Sequence, residues 1–422
     1  MAKKQQTIEE KLQAALVPVE EQPYKVPENW CWCNLKSFSE IRTGKKDANY
    51  GTENGKYLFF TCASEPIRCD GYSFEGKSIL LAGNGDIGNI SLYDGKFEAY
   101  QRTYVLSIVE SLSTEYVYYY FKYKWVDYNN DKMYGSAIPY IRLGNLKEFP
   151  VPIPPITEQN RIVSIVESLF AKLDEAKDKI QEVLDGADLR RAAILHQAFT
   201  GKLTEKWRRE NGVSDGSWDK VPLGNVIELL SGQDFKPTDY NDAKNGIPYI
   251  TGASNFDDGV IINRWTEKPT VIAKRDDILL VCKGSGYGKT IIADFEQAHI
   301  ARQIMALRVK EGIINKYVLY FLMDKYDEIR NSGQGLIPGI SRKVVLGMNI
   351  FKISMPEQQE IVRLLDNLLS REQSTVTACE EALTTIDTLK KSILARAFRG
   401  ELGTNDPSEA SAKELLQEIL AS

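Results

Sequence analysis

The stretch FPVPIPPITEQNRIVSIVESLF (residues 149–170) joins a proline-stiffened apolar run to residues spaced for a helix. Pro154 and Pro155 hold the approach extended, because the residue before a proline avoids helical dihedrals. Thr157 is placed to accept from the orphan amides of the first turn. Ile162, Val166, Leu169, Leu173, Ala176, Ile180, Val183 and Ala187 then alternate steps of four and three, the apolar seam of a coiled coil. The spacing predicts a helix over 157–199, with Gly186 as a kink.

A second copy follows. IPYIRLGNLKEFPVPIPPITEQNRIV (138–163) aligns without a gap to IPGISRKVVLGMNIFKISMPEQQEIV (337–362), an offset of 199. The same offset carries AFTGKL (198–203) onto AFRGEL (397–402) and ILLAGNG (79–85) onto ILLVCKG (278–284). Upstream the offset is 188, where WCWCNLKSFSEIRTG (30–44) matches WDKVPLGNVIELLSG (218–232) with Trp, Leu and Gly in step. In the copy, Ser354 and Glu357 form an expected capping box with Pro356 tolerated in the first turn. A helix over 356–398 carries the seam Ile361, Leu365, Leu368, Ile386 and Ile393, weaker in its middle where Glu372 and Thr375 fall.

Each repeat thus has a variable front and a helical back. The fronts hold short β-type runs, Gly, Asn and Asp turn signals and one helix-like segment, EYVYYYFKYKW or KYVLYFLMDKY. The expected fold is α+β: two mixed α/β domains joined by two long antiparallel coiled-coil helices, with one variable domain at each end and a pseudo-two-fold internal repeat. The divisions are an N-terminal helical segment (1–28), a first domain (29–155), a first spacer helix and linker (156–217), a second domain (218–355), and a second helix with a helical tail (356–422). TIEEKLQAALVP and SAKELLQEILAS, near the two ends, are similar short amphipathic helices, as though the repeat had been cut and rejoined circularly.

Composition narrows the function. No apolar run approaches a membrane span, and MAKKQQTIEEKLQAAL lacks the apolar core of a signal peptide, so a cytoplasmic address is expected. Six cysteines without a CxxC pair, and only two histidines, point to plain thiols and away from a metal site. The net charge of −5 is concentrated at the C-terminal end, where Lys and Arg are 7 against 12 Asp and Glu over 356–422. They are 14 against 14 over 29–150 and 18 against 16 over 218–355, so a local basic face for DNA is permitted there. GSGYGKT (284–290) has Lys283 where a Walker loop needs glycine; with its Gly-rich neighbours it reads as a flexible tip carrying Lys283, Tyr287 and Lys289. Asp70, Glu75 and Lys77 have the wrong spacing for a nuclease triad, and no methyltransferase motif is present. The aromatics interleaved with Lys122, Lys124 and Lys132 read as core packing. Arg142 and Arg342, each just before a linker, suit phosphate or guanine contact.

Taken together, PENWCWCNLKSFSEIRTGK and its copy, GIPYITGAS, ILLAGNGDIG, PIPPITEQNRIVSIVESLFAKLD and PEQQEIVRLLDNLL resemble the specificity subunit of type I restriction-modification systems over nearly the whole chain. The second copy departs in lacking the diproline. The resemblance implies a non-catalytic, DNA-binding subunit for phage defence, whose two target-recognition domains read the halves of a bipartite double-stranded DNA site. It implies two methyltransferase (modification) subunits docked on the helices, supplying S-adenosylmethionine for adenine methylation, and restriction subunits using ATP and Mg. By loop position, the expected DNA contacts are Lys45, Lys46, Asn84, Arg102 and Arg142 in the first domain. In the second they are Gln233, Lys283, Lys289, Arg302 and Arg342. A rival reading is a protein-interaction scaffold displaying two adaptors on a coiled coil; a third, a solitary enzyme, has no catalytic constellation in its favour.

Overall fold

The computed structural model describes residues 7–284, 286–331 and 339–421. Residues 1–180 with 381–422 form one unit and residues 181–380 another. These units divide both long helices along their length, whereas the repeat in the sequence divides the chain serially.

Unit 1 begins with helix α1 (Ile8–Ala15) and strands β1 (Cys31–Asn34), β2 (Ser39–Thr43), β3 (Tyr57–Phe60), β4 (Ile67–Cys69), β5 (Phe74–Ala82), β6 (Ile90–Ala99) and β7 (Thr103–Ile108). Helices α2 (Thr114–Asn129) and α3 (Leu143–Lys147) and strand β8 (Pro150–Ile153) lead to the long helix α4 (Ile156–Asp185). Six strands form one sheet in the order β2-β7-β5-β6-β3-β4, antiparallel except where β3 lies beside β6. Its central strands are apolar at consecutive positions because both faces are covered. Ile79, Leu81 and Leu106 join Tyr116, Tyr120 and Phe121 of α2 in one cluster, while Leu80 and Val105 join Phe60 and Phe97 in another. The aromatics of α2 pack inward as expected, with Lys122 and Lys132 exposed.

Unit 2 takes in α5 (Ala187–Phe199) and α6 (Glu205–Glu210), then β9 (Asp219–Pro222), β10 (Ile227–Ser231), β11 (Ile247–Ile250), β12 (Phe256–Asp257), β13 (Gly259–Val260) and β14 (Trp265–Thr266). It continues through β15 (Ile272–Lys274), β16 (Ile278–Val281), β17 (Thr290–Ile292), β18 (Gln297–Ile300) and β19 (Ile304–Val309). Helices α7 (Asn315–Asp324), α8 (Tyr326–Asn331) and α9 (Arg342–Gly347), strand β20 (Asn349–Lys352) and helix α10 (Met355–Ala397) follow. Here two four-stranded sheets, β10-β19-β16-β17 and β14-β11-β18-β15, do the work of the single sheet of unit 1. The strand equivalent to β5 is interrupted between β15 and β16, where Asp276 takes a positive φ of 70° and Asp277 turns to pair with Arg308 at 2.7 Å.

The hinge is built alike in both units. β8 pairs with β1, and β20 with β9, each antiparallel and two-stranded, which leaves Pro150 and Pro152 on an edge that tolerates them. Helix α4 starts at Ile156, so Thr157 lies inside the first turn and its hydroxyl donates to Glu409 (2.6 Å); it does not cap the helix. Ser354 Oγ accepts from Glu357 N at 3.4 Å, but the Glu357 side chain does not return to Ser354, so only half of the expected box forms. Pro154 and Pro155 are buried, and Pro356 occupies the exposed first turn of α10.

The Glu-Gln pair beginning each helix turns inward. Gln159 accepts from Ser113 N (2.9 Å) and donates to Pro154 O (2.9 Å); Gln358 accepts from Ile314 N (2.9 Å) and donates to Ile353 O (2.9 Å). Glu158, fully buried, accepts from Trp30 Nε1 (2.7 Å), Thr404 Oγ1 (3.0 Å) and Asn405 Nδ2 (2.9 Å). Glu357, also fully buried, accepts from Thr204 Oγ1 (2.9 Å), Arg208 Nη1 (3.0 Å) and Trp218 Nε1 (3.1 Å). Each carboxylate therefore ties the Trp at the start of its own repeat to the segment after the other long helix.

Within unit 1, Ile162 and Val166 cluster with Leu394, Ala397 and Phe398, and Lys390 pairs with Asp174, an antiparallel pairing of α4 with α10. Within unit 2, Leu195, Ala198 and Phe199 cluster with Ile361 and Leu365 in the same sense. Leu169, Leu173, Ile180, Leu368 and Ile393 are half-buried and Ile386 is buried, whereas Val183, Thr375 and Leu389 face solvent. The polar seam position Glu372 is satisfied by Arg190, whose Nη2 lies 2.7 Å away. Gly186 separates α4 from α5, although Gly186 N still donates to Glu182 O and Arg190 N to Gly186 O. The terminal helices meet in unit 1: α11 (Ala412–Ala421) packs on α1 through Leu12, Ala15, Ala412 and Leu416.

Candidate nucleic-acid interface

Four loops of unit 1 are laced together by main-chain bonds, and they carry the residues expected to contact DNA. Gly83 N donates to Arg102 O (2.8 Å), Ile141 N to Gly83 O (2.9 Å) and Gln101 N to Lys46 O (2.9 Å), while Asn84 bridges Tyr140. Lys46, Asn84, Arg102 and Arg142 are thereby drawn to one edge of the sheet, with Lys45 beside them. Lys45, Arg102 and Arg142 are exposed; Lys46 is half-buried with its Nζ 4.3 Å from the Tyr50 ring centre. Gly44 is required where the first loop leaves β2, because a Cβ there would lie 1.8 Å from Ala99 O.

Arg142 is held by aromatics. Its guanidinium carbon sits 3.9 Å from the Tyr134 ring centre, and Nη2 donates to Tyr140 OH at 3.3 Å. The two tyrosines stack at 5.6 Å, on either side of a loop whose Ile138 is 62% exposed. An arginine braced in this way presents its remaining donors to solvent in a fixed direction.

Unit 2 repeats the lacing, with Cys282 N donating to Gln303 O (2.7 Å) where Gly83 N donates to Arg102 O, so that Gln303 stands for Arg102 and Arg302 for Gln101. Ile340 N donates to Cys282 O (3.0 Å) and Lys283 bridges Gly339, the counterparts at offset 199 of Ile141 to Gly83 and Asn84 to Tyr140. Gly232 again allows close approach, since a Cβ would lie 2.0 Å from Ala301 O. Lys283, Arg302 and Arg342 line one groove of about 530 Å³ together with Gly232 and Gly339. All three cations are exposed, and no carboxylate lines the groove among the described residues. Ile337 and Pro338, matched to Ile138 and Pro139 in the repeat, lie outside the described residues, as does Ser285.

Lys289 stands apart from that groove. It lines a separate cavity of about 710 Å³ with Arg191, Arg330, Asp257 and Asp327. The Gly-rich tip is also less open than its composition implies: Tyr287 is buried and its hydroxyl donates to Ile329 O. Lys77 is engaged with Glu115, away from any acidic pair with Asp70.

Gln233 is exposed but anchored. Its N–H donates to Ile300 O (2.9 Å), its side chain accepts from Thr270 Oγ1 (3.1 Å), and its carbonyl accepts from His299 Nε2 (2.7 Å). His299 is fully buried and stacks on Phe235 at 4.1 Å. Its Nδ1 accepts from Thr270 N and Val271 N, so Nε2 carries the proton. Burial holds its pKa below the ordinary 6.5, against the hydrogen bond that Nε2 donates to the Gln233 carbonyl, which favours the charged form. Sequence reasoning missed this support, because a lone histidine gives no signal until its backbone partners are placed. Cys31 illustrates the thiols: it is buried, and desolvation pushes its pKa up to about 12, so it remains a protonated core residue.

The type I restriction modification DNA specificity domain model matches the chain twice, at residues 27–185 and 216–381. The EcoDI specificity subunit of Escherichia coli is 28% identical over 444 residues, covering 94% of this chain and 96% of that protein. The EcoKI specificity subunit of Escherichia coli (strain K12) is 26% identical over 317 residues, covering 68% of this chain and 67% of that protein. Among solved structures, the HsdS subunit from Thermoanaerobacter tengcongensis superposes with a TM-score of 0.64 at 22% identity, over 91% of this chain and 100% of that one. A chain from a type I R-M system, solved for its complex assembly and conformational transition, gives 0.72 at 22% identity, over 90% and 100%. These last two show a shared fold.

Proposed function

The chain belongs to the type I restriction modification DNA specificity family, as a specificity subunit with two target-recognition domains, and from that premise we propose how it works. Each unit reads one half of a bipartite double-stranded DNA site through the loop edge that gathers Arg102 and Arg142 in unit 1, and Lys283, Arg302 and Arg342 in unit 2. The observation that carries this reading is the repeated lacing: Asn84 with Tyr140 and Lys283 with Gly339 fix basic loops at the same register in both copies. Groups on rigid, tied loops suit groove contacts because they arrive already ordered.

On this reading the chain itself performs no chemistry. It recognises DNA and docks two modification subunits along α4, α5 and α10, whose polar outer faces remain exposed. S-adenosylmethionine then belongs to those modification subunits, and ATP and Mg to restriction subunits of the full complex. Linking two weak readers in one chain raises affinity by effective concentration. The test is selection from a randomised duplex library by the full chain with its modification subunits. A split consensus is expected, and R102A and R302A should each degrade a different half. Binding without sequence preference in that complex would refute the reading.

A further inference from the structure

Arg302 differs from its neighbours in being held. Its Nε lies 2.8 Å from Oδ2 of Asp234, and its own backbone N–H donates to Oδ1 at 3.1 Å. One carboxylate thus fixes both the main chain and the stem of the side chain, on a loop already tied by Gly232 N to Ile304 O and Gln233 N to Ile300 O. Neither terminal nitrogen of Arg302 has a hydrogen-bond partner among the described residues, and the side chain opens on the groove shared with Lys283 and Arg342.

A planar fork of two N–H donors on an immobilised stem matches O6 and N7 of guanine in the major groove. A phosphate needs no such brace, and a carboxylate beside it is unfavourable, so the pairing favours a base over the backbone. Lys46 occupies the position of Asp234 in the first repeat, at the offset of 188. The matching main-chain bonds, Gly83 N to Arg102 O against Cys282 N to Gln303 O, place Gln101 where Arg302 stands, so at these two positions unit 1 has neither the arginine nor the carboxylate, which sets the two units apart. We propose that Asp234 is a specificity-determining positioning residue that presents Arg302 to a guanine in the half-site read by unit 2. The proposal rests on the DNA-recognition reading above and adds to it a residue, a base and an asymmetry between the repeats.

The test uses the full chain with its modification subunits and a library randomised in each half-site, comparing D234N, D234A, R302A, R302K and the double variant D234A/R302A. R302A and R302K should lose about 5- to 150-fold of discrimination for guanine at one base pair, the share of a bidentate contact. D234N and D234A should lose about 2- to 12-fold at that same base pair, the ordering of one long side chain. D234A should also bind non-specific DNA more tightly, because a negative charge is gone. The double variant should discriminate no worse than R302A. Unchanged discrimination in D234A, or a loss spread over all bases, overturns the proposal. So does an R302A that weakens every sequence equally with a shallower salt dependence, which marks a phosphate contact. A wild-type complex with no sequence preference would sink the recognition reading itself.

Discussion

Replacing Glu158 and Glu357 by glutamine, one at a time, should separate two closures that look alike in the sequence. Gln keeps the shape and one acceptor oxygen but removes the charge. At position 158 the three donors are neutral, and the Thr404 hydroxyl can rotate to accept from the new amide. The expected cost of E158Q is about 1 kcal/mol, one weakened hydrogen bond to a formerly charged group. At position 357 the same oxygen faces the Arg208 guanidinium, whose side chain is 8% exposed. Breaking a buried ion pair costs about 3–5 kcal/mol. The lower end applies, because Arg208 also donates to Thr204 Oγ1 and Gly201 O. At about 2–4 °C per kcal/mol for units of this size, E357Q should lower the unit 2 transition by about 6–12 °C and E158Q the unit 1 transition by about 2–4 °C. Calorimetry of the full chain reads these shifts, and hydrogen exchange locates them: around 200–210 and 218–222 for E357Q, around 30–34 and 404–409 for E158Q. Equal costs, or exchange confined to the first turn of the mutated helix, would refute the reasoning.

Three further outcomes follow from the loops. His299 is neutral when folded, with its folded pKa below the unfolded 6.5, so the unfolded chain takes up the proton first. Unit 2 should hold its stability above about pH 6.5 and lose up to about 1.4 kcal/mol per pH unit below it; a urea midpoint that does not change between pH 7.5 and 5.5 would contradict this. Gly232→Ala places a Cβ 2.0 Å from Ala301 O, and should abolish recognition of one half-site at a cost of about 1–3 kcal/mol while the circular dichroism stays helical. Tyr134→Ala removes the ring under Arg142 and should weaken binding of the other half-site by about 2- to 5-fold, with Tyr134→Phe close to wild type, as measured by fluorescence anisotropy.

The long helices were readable because a three-four apolar period persists over many turns, and the hinge because prolines restrict their neighbours regardless of context. Ser354 caps its helix as expected but Thr157 does not, since a hydroxyl near a helix start has several partners to choose from; Thr157 chose Glu409. The carboxylates at the start of each helix stood in plain view as a repeated Glu-Gln. Their role was hidden because Glu158 meets Thr404 across 246 residues of chain, a separation at which spacing carries no information.

The loops proposed to contact DNA divide along the same line. Glycines such as Gly44 and Gly232 repeat because the close approach of two backbones admits nothing larger, and the main-chain lacing repeats with them. Side chains that point away from the lacing are free of that constraint. Position 46 and its counterpart 234 therefore carry opposite charges on the same framework, and Lys289, two residues beyond buried Tyr287, faces a different cavity from Lys283. A basic residue in a loop marks where contact with DNA is possible, but its neighbour determines what it can contact. Arg302 beside Asp234 is a braced fork of donors, whereas at the matching positions of unit 1 Gln101 stands beside Lys46. The scaffold is duplicated and the side chains it displays are not, which on the proposed reading lets one chain built from a repeat recognise two different half-sites.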